Sequence, residues 1–373
     1  MVLLGLLITW VAIYLLSLVF PLDRYGFKVT PIYIMYKTER FNSFLSRIAE
    51  KNKKIWRNYA NIGVVVAIIE IAFAIYLLTL NLQRFLFIPQ EAEPILPVLP
   101  GITIQLRWFP YILIAFGLAI TTHEMAHGVL AFLEKIPIKS SGLVLAPITF
   151  GAFVEPDDEV FDRSPLLSKL RVLAVGSLTN LVTGLLTLLL LTALFMPSSG
   201  VLTTTVPASG PAYMAGIRPW DVIYSINGIE THSVPELIQY MTNIGPGTRL
   251  LVETPRGMKV VITEESSLNI SRGVMGVSDL FTYYAMRVGE VNHQLSYHLY
   301  MTLSWTLLLM MNLAIFNMLP LFPFDGEAFI YSLLKEKLKK GLNASRIAIN
   351  MLSISLLVSN VVLTFLKFGF III

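Results

Sequence analysis

Six stretches of about 20 predominantly apolar residues recur along this 373-residue chain, and each is long enough to cross a bilayer as a helix. They cover 2–20, 61–80, 104–130, 166–196, 295–319 and 348–370. Hydrophobic residues make up 55% of the chain and charged residues only 14%. A soluble domain carries about a quarter charged residues, and no single core could hide so large a deficit. Backbone groups in lipid must find partners within their own segment, so the predicted fold class is a polytopic α-helical membrane protein of about six transmembrane helices. The first run has no basic flank and no small-residue cleavage site, which predicts a retained helix rather than a signal peptide.

The positive charges set an orientation. Arg24, Lys28, Lys37, Arg40, Arg47, Lys51, Lys53, Lys54 and Arg57 cluster between the first two runs, and Lys335, Lys337, Lys339, Lys340 and Arg346 lie between the last two. Both clusters read as cytoplasmic, which puts both termini outside. This arrangement explains the net charge of +4 without nucleic acid as a partner.

His123, Glu124 and His127 end the third run in the pattern His-Glu-x-x-His. Residues four apart share a helix face, so the two imidazoles can hold one ion while Glu124 handles a proton. Such residues inside a membrane helix are costly unless they face a cavity, a metal or one another. The absence of cysteine leaves only histidine and carboxylate as ligands for a tightly held zinc. Two histidines need a third protein ligand, and topology puts His232, His293 and His298 on the far side. Asp325 has no such difficulty, because it follows the fifth run at a break made by Pro320, Pro323 and Gly326. The site is therefore expected toward the cytoplasmic side. Glu70, alone in the second run, reads as a packing device satisfied by a neighbour, and the acidic run from Glu155 to Asp162 as a solvated rim.

Two segments break the helical pattern. Residues 138–154 are too short to span and combine β-branched alternation with Gly142, Pro147 and Gly151, which predicts a membrane-associated β-hairpin region. Residues 197–266 alternate short strands with turns, among them Asn227-Gly228, and resemble an inserted α/β PDZ-like domain. Such domains take a peptide or chain end as an added strand. The predicted organisation is thus 1–100, two helices with a basic loop and a proline-rich outer segment; 101–196, the first core part; 197–266, the PDZ-like domain; 267–294, an interfacial linker; and 295–373, the second core part.

Taken together, the motifs resemble those of the site-2 proteases, a family of zinc intramembrane metalloproteases, from about Arg107 to Gly326. The resemblance implies one Zn²⁺ per chain, with His123, His127 and Asp325 as ligands and Glu124 as catalytic base. Asn317, Pro320, Asp325 and Gly326 match the family's second signature, and Gly176, Asn180 and Gly184 match its small-residue helix. Asn180 and Asn317 are candidate oxyanion supports. Gly151, Ala152, Phe153 and Val154 correspond to the strand thought to hold unwound substrate, with Ala152 where glycine is usual.

The implied function is cleavage of single-pass membrane proteins, after a first cut outside, by a multi-pass cell-membrane enzyme working in the bilayer. The PDZ-like domain is expected to be extracytoplasmic. A zinc or cation transporter and a non-catalytic PDZ-type receptor are the alternatives. Loss of turnover with metal retained in Glu124→Gln separates the protease from both.

Overall fold

A computed structural model describes residues 2–20, 22–99, 101–146, 149–267, 271–289, 292–338 and 340–369. The chain divides into two compact units, Met1–Leu186 with Trp305–Ile373, and Thr187–Ser304. The first unit opens with α1 (Val2–Val19), the short strands β1 (Phe27–Val29) and β2 (Ile34–Lys37), and α2 (Glu39–Lys51). It continues with α3 (Lys53–Phe87), α4 (Phe109–Leu133), β3 (Ile138–Ala146), β4 (Thr149–Pro156) and α5 (Asp158–Arg163). Helix α6 (Leu166–Leu194) leads into the second unit.

The second unit comprises β5 (Phe195–Thr205), α7 (Pro211–Met214), β6 (Val222–Ile223), β7 (Ser225–Ile226), β8 (Ile229–Glu230) and α8 (Val234–Met241). It is completed by β9 (Arg249–Thr254), β10 (Gly257–Ile262), β11 (Glu264–Glu265), β12 (Gly273–Val274) and β13 (Ser278–Met286). Helix α9 (His293–Asn317) returns to the first unit, which closes with α10 (Asp325–Lys337) and α11 (Leu342–Phe368).

Among the described residues, five helical segments are long and apolar enough to cross a membrane: α3, Leu106–Leu133 containing α4, α6, α9 and α11. The first of the six expected spans corresponds to α1, whose apolar stretch Ile8–Val19 is shorter. Helix α3 extends well beyond the expected 61–80, into both flanking polar segments.

The expected hairpin is present, with β3 and β4 antiparallel and Leu143 opposite Ala152. It belongs to a larger sheet of order β1-β2-β3-β4, because residues 27–37 fold back from the basic segment to pair with β3. That pairing depends on Gly142, where any Cβ would strike the carbonyl of Tyr36. Beside the sheet, α2 buries Leu45 and Ala49 with Ala126, Val129 and Leu130 of α4. The acidic run behaves as a rim: Asp157 caps α5 by accepting from the amides of Val160 and Glu159, which hold its carboxyl below the ordinary value.

Small side chains let the apolar helices approach closely, since lipid removes the hydrophobic drive for helix association. Ala67 of α3 packs with Leu170, Leu173 and Ala174 of α6, and Phe329 of α10 fills the remaining space with no exposed surface. Polar pairs fix the register. Asn81 of α3 donates to Asn360 of α11 at 2.9 Å, and Asn360 donates in turn to the carbonyl of Leu78.

Glu70 finds the neighbour expected of it. The Ser177 hydroxyl lies 2.8 Å from Glu70 Oε2 and 2.5 Å from the carbonyl oxygen of Ala314, which ties α3, α6 and α9 together. Ser177 has one hydrogen and the carbonyl can only accept. The hydroxyl can therefore donate to only one of these two oxygens at a time, while Glu70 Oε1 is buried without a partner among the described residues.

The second unit has its own core of Val201, Ile217, Ile223, Ile226, Leu237, Leu250, Val252 and Val261. Its larger sheet has the order β10-β9-β7-β8, with Asn227 and Gly228 in the β7–β8 turn at positive φ, 53° and 77°. A second sheet has the order β13-β5-β6. The segment expected as an interfacial linker, 267–294, thus supplies β12 and β13, and β13 pairs with β5 from Ser278 opposite Thr205 to Met286 opposite Phe195. The reason is visible on the partner side: α6 stops at Leu194, and the residues after it are extended rather than helical.

The Glu70 arrangement carries a stability prediction. Ser177→Ala is expected to cost about 1–3 kcal/mol, because it leaves a buried carboxyl without its partner. Glu70→Gln keeps a hydrogen-bonding group beside Ser177 and should be close to neutral, and adding Glu70→Leu to Ser177→Ala should recover most of the loss. Thermal unfolding of the single and double variants in detergent measures all three.

Candidate metal centre

Helix α4 places His123 and His127 one turn apart, their rings 4.5 Å between centroids and steeply inclined at 77°. Both are buried, at 7% and 8% exposure. Asp325 reaches them from another part of the chain. Helix α9 ends at Asn317, the segment with Pro320 and Pro323 turns, and α10 begins at Asp325 itself. Gly326 makes the turn tight, since a Cβ there would collide with the Met318 carbonyl.

The three side chains converge on one point. Asp325 Oδ2 lies 3.0 Å from His123 Nε2 and 3.3 Å from His127 Nε2, and the two Nε2 atoms are 2.9 Å apart. Among the described residues these three form the cluster able to hold a metal ion. His127 Nδ1 sits 2.6 Å from the carbonyl oxygen of Val172, an acceptor, so Nδ1 carries a hydrogen and Nε2 is the nitrogen turned to the cluster, free to offer a lone pair to a cation. Lone pairs brought this close repel unless a cation lies among them. Two imidazole nitrogens and one carboxylate oxygen are the donor set that would hold a catalytic zinc ion.

Helix α6 forms the wall behind the imidazoles. A Cβ on Gly176 would come within 2.5 Å of both His123 Cε1 and His127 Nε2, so glycine there is a condition of the ligand geometry. One turn further, Asn180 is 1% exposed and places Nδ2 3.4 Å from His123 Nδ1; Asn317, at the end of α9, places its Nδ2 at the same distance. Gly184 continues the stripe and packs on Met310 and Met311 of α9.

The strand expected to hold substrate lies along α4. Gly151 rests on Ile120, with room for no Cβ, and Gly117 of α4 makes the matching gap for Phe150. Ala152 is buried while Phe153 and Val154 are half-buried. The Val154 amide donates to Glu124 Oε2 at 3.2 Å, which joins the strand to the candidate base. Neither the Val172 carbonyl nor the Val154 amide was anticipated, because a backbone group has no residue-type signature.

Comparison with known proteins decides the family. Residues 111–359, more than half of the chain, match the model of peptidase family M50. The chain belongs to peptidase family M50. An uncharacterized protein of Methanocaldococcus jannaschii is 28% identical over 326 residues, covering 86% of this chain and 81% of that protein. A membrane-bound transcription factor site-2 protease homolog of Arabidopsis thaliana is 24% identical over 56% of this chain and 42% of its own length. A protein of Clostridium acetobutylicum, named as a candidate zinc metalloprotease, is 24% identical over 45% of this chain and 57% of its own length. The chain therefore spans about half of the two relatives with functional names.

The M50 match covers His123, Glu124, His127 and Asp325, and with the five apolar helices it describes a multi-pass membrane metalloprotease. Gly176 gives this centre a direct test. Gly176→Ala should displace the imidazoles and weaken metal binding about 10-fold or more, on the scale of losing a group that orients a metal-binding histidine. Competition with a chromophoric chelator measures it, with Gly184→Ala as the control on the same helix.

Proposed function

We propose that this M50 protein is a zinc-dependent intramembrane endopeptidase. It would hydrolyse peptide bonds in or near the transmembrane segments of single-pass membrane proteins already cut outside, in regulated intramembrane proteolysis. The observation that carries the reading is the convergence of Asp325 Oδ2 on His123 Nε2 and His127 Nε2, which stand beside Glu124 on a helix apolar enough to cross a bilayer.

In this reading His123, His127 and Asp325 hold one zinc ion per chain. When bound, zinc supplies Lewis acidity toward the scissile carbonyl and toward water. Glu124 is the general base: anchored through Oε2 by the Val154 amide, it takes a proton from the attacking water and returns it to the leaving amide nitrogen. Asn317, half-buried beside His123, is the candidate donor to the developing oxyanion.

A helical substrate is closed to attack until it unwinds, and its freed amides then need partners in an apolar setting. Gly151–Val154 of β4 supply them. This strand ends the sheet β1-β2-β3-β4, so one of its edges pairs with no strand among the described residues.

Residues 197–266, within the unit Thr187–Ser304, are read as the PDZ-like domain, on the extracytoplasmic side, receiving a chain end or excluding an intact ectodomain. The antiparallel β5–β13 pair and helix α8 support the domain reading, and the basic clusters at 24–57 and 335–346 support an orientation with both termini outside and the metal centre toward the cytoplasm. The M50 match removes the reason to prefer a transporter or a receptor.

Glu124→Gln removes the base and keeps every ligand. It is expected to lower cleavage of a liposome-embedded single-pass substrate by about 10²–10⁴-fold. Zinc content measured by elemental analysis should stay at that of the intact chain. Cleavage at the unchanged rate would overturn the assignment.

A further inference from the structure

Resting on the metal centre proposed above, we infer that Asn180 is a positioning residue of that centre, accepting a hydrogen bond from Nδ1–H of His123 through Oδ1. The argument begins with the two histidines compared. His127 directs Nε2 at the cluster and gives its Nδ1 hydrogen to the Val172 carbonyl, so its tautomer and ring orientation are fixed by the backbone of α6. His123 also directs Nε2 at the cluster, toward Asp325 and His127. A metal on Nε2 leaves the hydrogen of the neutral ring on Nδ1, and that hydrogen needs an acceptor.

Among the described residues no carbonyl plays that part for His123. Its Nδ1 faces two side-chain amides, Asn180 and Asn317, each with Nδ2 at 3.4 Å. Two donors facing a third donor cannot be satisfied. On the other side of the same amide, Asn180 Oδ1 is buried without a hydrogen-bond partner. An asparagine amide is nearly symmetric in shape, so the hydrogen-bond network decides which end faces which neighbour. Turning Asn180 about its Cβ–Cγ bond lets Oδ1 take the hydrogen of His123 and gives that buried oxygen a donor, while the Nδ2 hydrogens move to the side that Oδ1 leaves. Asn317 is half-buried and can turn its amide toward water, whereas Asn180 is 1% exposed and cannot. The acceptor is therefore Asn180.

The place of Asn180 on α6 fits the role. Gly176 brings α6 against both rings, and one turn later the same face presents the amide. Helix α6 thus orients both histidines, His127 through the Val172 carbonyl and His123 through Asn180. As an acceptor Asn180 acts through His123, which separates this role from donation to an oxyanion.

The test is the zinc affinity of the full chain in detergent, measured by chelator competition for the intact protein, Asn180→Leu, Asn180→Asp and His123→Ala. The inference predicts a 10- to 100-fold weakening in Asn180→Leu, the usual cost of losing an outer partner of a metal-bound histidine. Asn180→Asp retains an acceptor oxygen and should bind zinc at least as tightly as the intact chain. An oxyanion donor would behave in the opposite way: zinc affinity unmoved in Asn180→Leu, and cleavage lost in Asn180→Asp even at saturating zinc. Either result overturns the inference. If Asn180→Leu does not fold, Asn180→Asp still decides, since a 10-fold loss of affinity in that variant is incompatible with the acceptor role. Zinc binding by the intact chain that survives in His123→Ala would instead refute the metal centre on which the inference rests.

Discussion

Two imidazole nitrogens and a carboxylate oxygen, all within 3.3 Å of one another inside an apolar bundle, are a configuration that the rest of the first unit must hold in place. Left to themselves these groups would separate to reach water. They are kept together because His123 and His127 share one face of α4, while Asp325 is the first residue of a helix pinned by Phe329 between α3 and α6. The metal centre is thus a product of packing at a distance as well as of local spacing.

Helix α6 carries most of that packing. It touches α3 through Ala174, the imidazoles through Gly176, Glu70 and Ala314 through Ser177, and α9 through Gly184. Small residues dominate this face because helices in lipid associate through close contact and hydrogen bonds rather than through burial from water. The same smallness leaves space for the few polar groups that must be there. Several of these have a named partner: Ser177 for Glu70 Oε2, the Val172 carbonyl for His127, and Asn81 with Asn360 further along the bundle.

Features that depend on residue type and short spacing were legible in the sequence. The pair His123 and His127 is set by helical periodicity, and Asp325 stands out because Pro320, Pro323 and Gly326 interrupt an apolar run beside it. The hairpin 138–156 announced itself by glycine and β-branched alternation, and the turn at Asn227-Gly228 by the positive φ that it needs. What could not be read depends on partners far along the chain. Strands β1 and β2 have three and four residues in a polar segment, and they exist because β3 offers an edge more than 100 residues later. Strand β13 likewise has no meaning without β5, some 80 residues before it. The backbone groups that hold His127 and Glu124 were invisible for a different reason, since every residue has a carbonyl and nearly every residue an amide.

The contact between β4 and Glu124 links the two halves of the proposed mechanism. Along an antiparallel pair, residues alternate between bonding the partner strand and turning their amides and carbonyls outward. Val154 turns its amide outward to Glu124, so Ala152 and Phe150, two and four residues earlier, share its outward orientation. The strand proposed to receive substrate and the residue proposed to activate water are therefore positioned by one edge. A chain added along that edge would be held in register with the base by the strand that already anchors it. Gly151 and Gly117 let β4 lie directly on α4, and this contact sets the distance from the edge to His123 and His127. Substrate alignment and the chemical step then depend on the same helix-to-strand packing, and a larger side chain at Gly151 would disturb both together.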